Sequence, residues 1–434
     1  MHRPPLLALI LLLACTGPGS ATVPRALSHA DLDAWRTITS PLASRDGRWL
    51  AYAYMPVEGD GDIRLRDLIS GREWSFPAGA LPRVPMTGSE ADPERPPPRR
   101  NVHPVFTSDN RYLVANTFPP LAATHETRRA RPAAEPPPEG LVIIDLATCT
   151  ATRFEGVKSF QVPARGGAWL AYLRPSGDLV LRDLASGKVR ILPNVSDYAF
   201  ARDGRTLAFT VSGDDPAING VYAITPGEHT APLALATGPG RYRKFSWDRT
   251  QTRAAFLTDR DEATRPEPRL AVYVWPRDAH PAAPVLAATA AGLPAETVIS
   301  PDATPAFSYD GNKLFIGTAP APSAPDPRLA ALTDEERVTA DLWRWNDDFI
   351  QPLQKVRAEK ERQRAYAGAL DLASGRFVQL ADPTLSMLTL NDDGSKAFGL
   401  DDLPYRRRID YDGIYQDLYL VDAATGARKL LARE

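Results

Sequence analysis

The amino-acid sequence predicts an all-β fold made of about seven repeated four-stranded units, and three observations carry that prediction. A short Asp-Gly turn motif followed by an apolar-aromatic run recurs along the chain. Each copy is trailed by an alternating run that turns at Ser-Gly or Thr-Gly. Proline supplies 42 of 434 residues, close to twice its ordinary share of about 5%. That excess disfavours long helices, because each proline removes a donor and crowds the preceding turn.

The copies can be read off in order. Ser44-Arg45-Asp46-Gly47-Arg48-Trp49-Leu50-Ala51-Tyr52 is the first, and Ser108 to Ala115 the second. Arg165 to Tyr172 is degraded, and Arg202-Asp203-Gly204-Arg205-Thr206-Leu207-Ala208-Phe209 is the cleanest. A weak copy runs from Trp247-Asp248-Arg249 to Phe256, and two more start at Tyr309-Asp310-Gly311 and Asp392-Asp393-Gly394. The trailing runs are Ile63–Leu68, Leu141–Leu146, Leu179–Leu184, Gly220–Ile224, Leu270–Val274, Ala369–Leu372 and Leu418–Asp422. Asp-Gly makes a tight turn, since Gly tolerates positive φ and Asp bonds nearby backbone. The run after it reads as a buried strand, and the alternating run as a strand paired to it. Each unit then holds about four short strands, too few to bury both faces alone, so the units must stack.

Spacing selects the stack. Outside a leader and three repeat-free stretches the mature chain gives about 44 residues per copy, against about 40–45 for a four-stranded propeller blade. About seven copies fit the propeller range of about 4–8 blades. The expectation is a β-propeller over 40–434, preceded by a signal at 1–21 and a leader at 22–39. The insertions are 79–100, 118–139 and 319–363. The first two, with Pro96-Pro97-Pro98 and Pro136-Pro137-Pro138, read as exposed loops of polyproline character. The third is partly helical in composition over Leu329–Val338 and Phe349–Ala367. Between those segments, Trp343 and Trp345 point the same way if the segment is a strand. They then either pack the insertion onto its blade or form an aromatic lip over a ligand channel.

Charge and cysteine usage narrow the class. Lys plus Arg is 51 and Asp plus Glu is 53, a formal net charge of −2. This excludes the basic excess of nucleic-acid binders and of polybasic membrane-surface proteins. Arg3, the apolar run Leu6–Ala14 and Gly19-Ser20-Ala21 read as a secretory signal, whose core is too short to span a bilayer. Leu12-Leu13-Ala14-Cys15 also resembles a lipobox, which would place a lipid anchor on Cys15. Either way the chain is expected outside the cytoplasm, periplasmic or extracellular, with no transmembrane segment. Cys149, in Leu146-Ala147-Thr148-Cys149-Thr150, reads as a turn residue between strands. No His or Cys cluster has metal-ligand spacing and no Gly-rich phosphate loop occurs, so neither metal nor cofactor is expected. Asp60-Gly61-Asp62 and Asp401-Asp402 read as acidic turns.

Taken together, Leu27 to Trp35, Ser40 to Tyr52, Glu58 to Gly61, Asp341 to Asp348, Gln351 to Glu359 and Tyr411 to Asp422 resemble secreted bacterial serine peptidases of the prolyl oligopeptidase family. The likeness runs over nearly the whole mature chain and is most specific in the long insertion. It implies a propeller that restricts access to an α/β-hydrolase domain carrying a Ser-Asp-His triad. No Gly-x-Ser-x-Gly nucleophile elbow occurs in this sequence, so no catalytic residue carries over and the chain alone is expected to be inactive. The resemblance also suggests that Glu335 and Glu336 hold a peptide's free N-terminus, as paired glutamates do in some relatives. A capped, solvated helix start explains the same pair. The functional expectation is a non-catalytic, substrate-gating propeller of a truncated or split peptidase, with peptides or a hydrolase domain as partners. The alternative is a stand-alone periplasmic binding or scaffold propeller.

Overall fold

The computed structural model describes residues 28, 31, 35–82, 100–130, 137–265, 267–277, 281–322, 328, 332–333, 336, 340 and 342–434. The predicted signal, Cys15 and Glu335 lie outside the described residues.

Among those residues the chain forms seven antiparallel sheets, each a meander in chain order. The first holds β1 (Arg36–Ala43), β2 (Trp49–Pro56), β3 (Asp60–Asp67) and β4 (Glu73–Ala80). The second holds β5 (Pro104–Phe106), β6 (Tyr112–Thr117), β7 (Gly140–Asp145) and β8 (Thr150–Glu155), with α1 (Leu121–Ala130) between β6 and β7. The third has β9 (Ser159–Gln161), β10 (Trp169–Leu173), β11 (Leu179–Asp183) and β12 (Val189–Leu192). The fourth has β13 (Val195–Phe200), β14 (Leu207–Val211), β15 (Gly220–Ile224) and β16 (Leu233–Thr237). The fifth has β17 (Tyr242–Trp247), β18 (Arg253–Thr258), β19 (Ala271–Pro276) and β20 (Ala283–Leu286).

In the sixth sheet the first strand is split into β21 (Thr297–Ile299) and β22 (Ala306–Phe307), both paired to β23 (Lys313–Pro320). Pro301 and Pro305 fall in the break, where a missing N–H cannot extend the ladder. β24 (Tyr366–Asp371) and β25 (Phe377–Gln379) complete that sheet, and α2 (Gln351–Arg362) lies between β23 and β24. The seventh holds β26 (Met387–Leu390), β27 (Lys396–Asp401), β28 (Asp417–Asp422) and β29 (Arg428–Ala432).

The repeated motif is the turn between the first two strands of every sheet. In the first sheet Ser44 N donates to Trp49 O at 2.8 Å and Gly47 N to Ser44 O at 3.0 Å. Ser44 Oγ donates to Asp46 Oδ1 at 2.5 Å, and the same carboxylate oxygen accepts Arg48 N at 3.1 Å. Gly47 sits at φ +69°, which is why glycine follows the aspartate. Thr107-Asp109-Asn110 and Ser308-Asp310-Gly311 repeat this pattern. In the weak fifth copy Asp248 takes the serine's place and accepts Thr252 N at 2.9 Å and Arg253 N at 3.2 Å. The trailing modules are the third strands. Their closing aspartates Asp67, Asp183, Asp371 and Asp422 hold the next turn by accepting backbone N–H groups two or three residues on.

Alternation within the middle strands explains the stacking. Leu113 and Ala115 of β6 pack toward the first sheet with Ala51, Ile63 and Leu65. Tyr112 and Val114 pack the other way, against Leu170 and Tyr172 of the third. Further apolar clusters join the third sheet to the fourth, the fourth to the fifth, the fifth to the sixth and the sixth to the seventh. The repeat turns form a parallel chain of bonds. Arg45 N donates to Asn110 Oδ1 at 3.0 Å, Gly167 N to Ser108 Oγ at 3.4 Å, Arg165 N to Arg202 O at 2.6 Å and Arg202 N to Gln251 Oε1 at 2.9 Å. Arg253 Nη2 reaches Gly311 O at 2.5 Å and Tyr309 N reaches Asp392 O at 2.9 Å. Between sheets, first strands approach one another: β1 meets β5, β13 meets β17, and β17 meets β22. Fourth strands such as β8 and β29 are largely exposed. First strands therefore face the axis and fourth strands the rim, the taper of a propeller. Among the described residues, no apolar cluster and no turn bond joins the seventh sheet to the first.

Four sequence expectations need correction. β1 starts at Arg36, so the end of the predicted leader belongs to the first sheet. Gly79-Ala80 and Ala319-Pro320, placed in insertions, complete β4 and β23. The second insertion is not wholly an extended loop. Leu121–Ala130 is helical, started after Pro119-Pro120 and capped from another sheet by Asp60 Oδ1, which accepts Leu121 N at 2.8 Å. Finally, Trp343 and Trp345 are not on a strand; this segment has no ladder partner among the described residues. α2 does form inside the third insertion, within the stretch given helical composition.

Candidate functional site

A concave feature lies where first strands converge. A cavity of about 750 Å³ is lined by Val105 of β5, Phe160 of β9 and Phe200 of β13, with Phe118, Lys158 and Arg202 at its sides. Its floor is held by polar pairs between sheets. Gln161 Nε2 donates to Tyr198 O at 3.0 Å and its Oε1 accepts Phe200 N at 3.1 Å, tying β9 to β13. Ser159 Oγ lies 3.0 Å from Tyr198 Oη. Burial pushes the Tyr198 hydroxyl up to about 12, so it stays protonated and serves as a fixed anchor.

The cavity's edge carries positive charge. Arg100 and Glu139, which end the first and the second insertion, form a two-point ion pair, with Arg100 Nη2 3.0 Å from Glu139 Oε2. This pair fastens the roots of both insertions beside the cavity. Lys158, Arg202 and His103 also line it, and all three are exposed. Their backbone N–H groups are bonded to Leu173 O, Gln251 Oε1 and Asn116 Oδ1, while their side-chain cations and ring have no protein partner among the described residues. Glu139 is the lone carboxylate of the lining and is already taken by Arg100. The site can therefore receive an extended chain bearing a carboxylate or carbonyl oxygens.

The residues singled out in the sequence lie elsewhere. Glu336 Oε2 accepts Thr333 N at 2.9 Å and Thr333 Oγ1 at 3.0 Å, so its carboxylate is held by Thr333. Trp343 is half-buried, with Lys355 Nζ 5.7 Å from its ring, whereas Trp345 is 96% exposed. The pair is thus split rather than packed together, and neither lines the axial cavity. Cys149 is a turn residue as expected, at φ +55° with Sγ 3.9 Å from Leu146 O. Burial raises its thiol, which opposes nucleophilic use. Asp60-Gly61-Asp62 is not a turn but opens β3; Asp60 caps α1 and Asp62 pairs with Arg36 and Arg64, so both carboxylates are occupied by protein. Among the described residues no group of three or more His, Cys, Asp or Glu is placed to hold a metal ion. No helix there is long and apolar enough to cross a membrane. Sequence reading missed Lys158 and Arg202. Their signal was positional: one directly precedes a first strand, and the other occupies the Arg of an Arg-Asp-Gly turn.

These features define the chain as a β-propeller module of four-stranded blades. No protein-family model matches it, and no curated protein matches it. Solved structures similar to it include a prolyl endopeptidase (14% identity, 92% of this chain and 50% of that one, TM-score 0.40). Tricorn protease is similar at 10% identity over 91% of this chain and 43% of that one, with TM-score 0.38. The β-propeller domain of the trilobed protease from Pyrococcus furiosus gives 10% identity over 92% and 98%, with TM-score 0.34. The chain spans half or less of the first two relatives' length.

Proposed function

We propose that this chain is the substrate-gating propeller of an exported serine peptidase of the prolyl oligopeptidase family. In this reading it is non-catalytic by itself and works with an α/β-hydrolase domain on the same or a separate polypeptide. The carrying observation is the axial cavity of about 750 Å³, edged by unpaired Lys158 and Arg202. That volume lies in the range of about 300–1,000 Å³ that ligand sites use. The motif resemblance in the long insertion supplies the family. Export to the periplasm or beyond follows from the apolar start of the chain, with Cys15 as an optional lipid anchor. Trp345, Trp343 and the Glu335-Glu336 pair are proposed as further peptide contacts on the insertion.

The test uses fluorescein-labelled octapeptides with free C-termini. Binding by the purified chain without hydrolysis, weakened about tenfold or more in Lys158→Glu/Arg202→Glu, is the expected result. Absence of binding at millimolar peptide would sink the cavity's role. Hydrolysis that a point substitution abolishes would make the chain an enzyme in its own right. A stand-alone periplasmic binding propeller is the second reading, supported by the same cavity and its unpaired cations. The DNA after codon 434 separates the two: a frame with Gly-x-Ser-x-Gly supports the peptidase, and unrelated sequence supports the stand-alone protein.

A further inference from the structure

The long insertion packs onto the seventh sheet around a second, smaller cavity of about 100 Å³. Four cationic side chains line it: Arg357 and Lys360 of α2, Arg364 just beyond that helix, and Arg406 of the 3-10 turn Leu403–Arg408. Asp402 is the one carboxylate in the lining. The carboxylates at hand are largely committed. Glu361 Oε2 takes Arg364 Nε at 2.6 Å, and Asp402 Oδ1 takes Arg406 Nε at 3.0 Å and Nη2 at 2.9 Å. Phe349 sits between two guanidiniums, with Arg357 4.4 Å and Arg406 5.5 Å from its ring centroid.

Arg357 is the residue this arrangement leaves unsatisfied. It is 9% exposed, yet its nearest carboxylate contact is a single 3.6 Å approach of Nη2 to Glu361, and its buried Nε has no hydrogen-bond partner. A buried guanidinium without its hydrogen bonds is costly, and guanidinium is the group best shaped for planar recognition of oxyanions. A water takes about 30 Å³ of liquid, so a space of about 100 Å³ holds about three waters or one oxyanion of four or five heavy atoms. It is too small for a peptide.

We propose that this cavity binds a small oxyanion (a phosphate, sulfate or carboxylate group). Arg357 is its principal donor, and occupancy fastens α2 to the Leu403–Arg408 turn and so fixes the insertion on the seventh sheet. The proposal is independent of the peptidase reading.

The test is thermal melting of the full chain at pH 7, titrated with sodium phosphate, sulfate or acetate against sodium chloride at equal ionic strength. A site that binds only the folded state gives a saturable rise in Tm. Exclusion of salt from the surface gives a non-saturating rise shared by all variants. Expected is a saturable component with at least one of the three anions, absent in Arg357→Gln and retained in the distant control Lys188→Gln. At saturation, amide exchange over 351–364 should slow several-fold in the unsubstituted chain. If Arg357→Gln fails to fold, Arg357→Lys keeps the charge, removes the fork, and should weaken half-saturation at least fivefold. Saturation by acetate alone identifies a carboxylate ligand; saturation by phosphate or sulfate identifies a tetrahedral one. No saturable component with any anion, or an equal one in the Arg357 variants, overturns the site.

Discussion

Gly79→Ala is a substitution whose cost can be worked from the geometry. Gly79, the penultimate residue of β4, sits at φ +79°, and a methyl group there would lie 1.9 Å from Phe118 O. The adjoining backbone is bonded on both sides, with Phe118 N donating to Ala78 O at 2.8 Å and Ala80 N to Pro119 O at 3.1 Å. Positive φ alone costs an alanine about 1–2 kcal/mol. Relief of the clash must move the 118–119 backbone and strain or break both bonds, each worth about 1 kcal/mol. The expected loss is about 3–4 kcal/mol. Gly71→Ala is the matched control: it sits at φ +72° with nothing within 4 Å of the added methyl, so it bears the conformational cost alone. Urea midpoints at unchanged m-value read the difference. Phe118 also lines the axial cavity, so Gly79→Ala should weaken peptide binding while Gly71→Ala should not. Equal midpoints for the two variants would refute the argument from close approach.

Two further outcomes follow from packing and charge. Phe256→Ala, which removes a fully buried ring stacked 5.6 Å from Tyr273, should cost about 3–5 kcal/mol, whereas Phe398→Ala, 52% exposed, should cost under about 1 kcal/mol by denaturant unfolding. Acid should destabilise the seventh sheet. Lys396 and the Thr425 hydroxyl bring the Asp422 carboxyl down to about 2. Burial alone would raise Asp382, but the Thr384 hydroxyl and Arg428 outweigh it and bring it to about 2 as well. Both folded values lie below the unfolded value of about 3.9. Their stabilisation is therefore full above about pH 4 and lost as pH falls toward 2. The urea midpoint measured across that window should flatten in Asp382→Asn/Asp422→Asn, and an unchanged slope would contradict the assignment.

The repeat was legible because its chemistry is local. Ser44, Asp46 and Gly47 close their turn with bonds no more than five residues apart, so the motif survives in the sequence wherever the turn survives in space. Even the weak copy at Trp247-Asp248-Arg249 marked a real turn, because Asp248 can replace the serine as acceptor. What escaped notice depends on partners far along the chain. α1 is started by Asp60, 61 residues away. The axial cavity gathers Arg100, Lys158 and Arg202 from three sheets. Along the sequence Arg357 is one of several basic residues between 355 and 364, and only its packing against Phe349 reveals it as buried.

Among the described residues six apolar cores join successive sheets, and the outward faces of the first and seventh sheets differ from them in chemistry. In each core, alternation places apolar residues on both facing surfaces. The outward face of the first sheet has different chemistry: Tyr52 Oη donates to Glu73 at 2.9 Å, Arg64 reaches Glu73 at 3.2 Å and Asp62 at 3.4 Å, and Arg36 reaches Asp62 at 3.3 Å. Both guanidiniums lie over the Tyr54 ring. The outward face of the seventh sheet sets Phe398 opposite Leu420 and Leu400 opposite Leu418, on the side away from buried Ala397 and Val421. Pressing that apolar surface onto the ion-pair ladder would strip water from Asp62, Arg64 and Glu73 without supplying new partners, a cost that burial of leucine and phenylalanine does not recover. The absence of a seventh core among the described residues is thus written in the side chains of the two end sheets, and it follows from the same alternation rule that builds the other six.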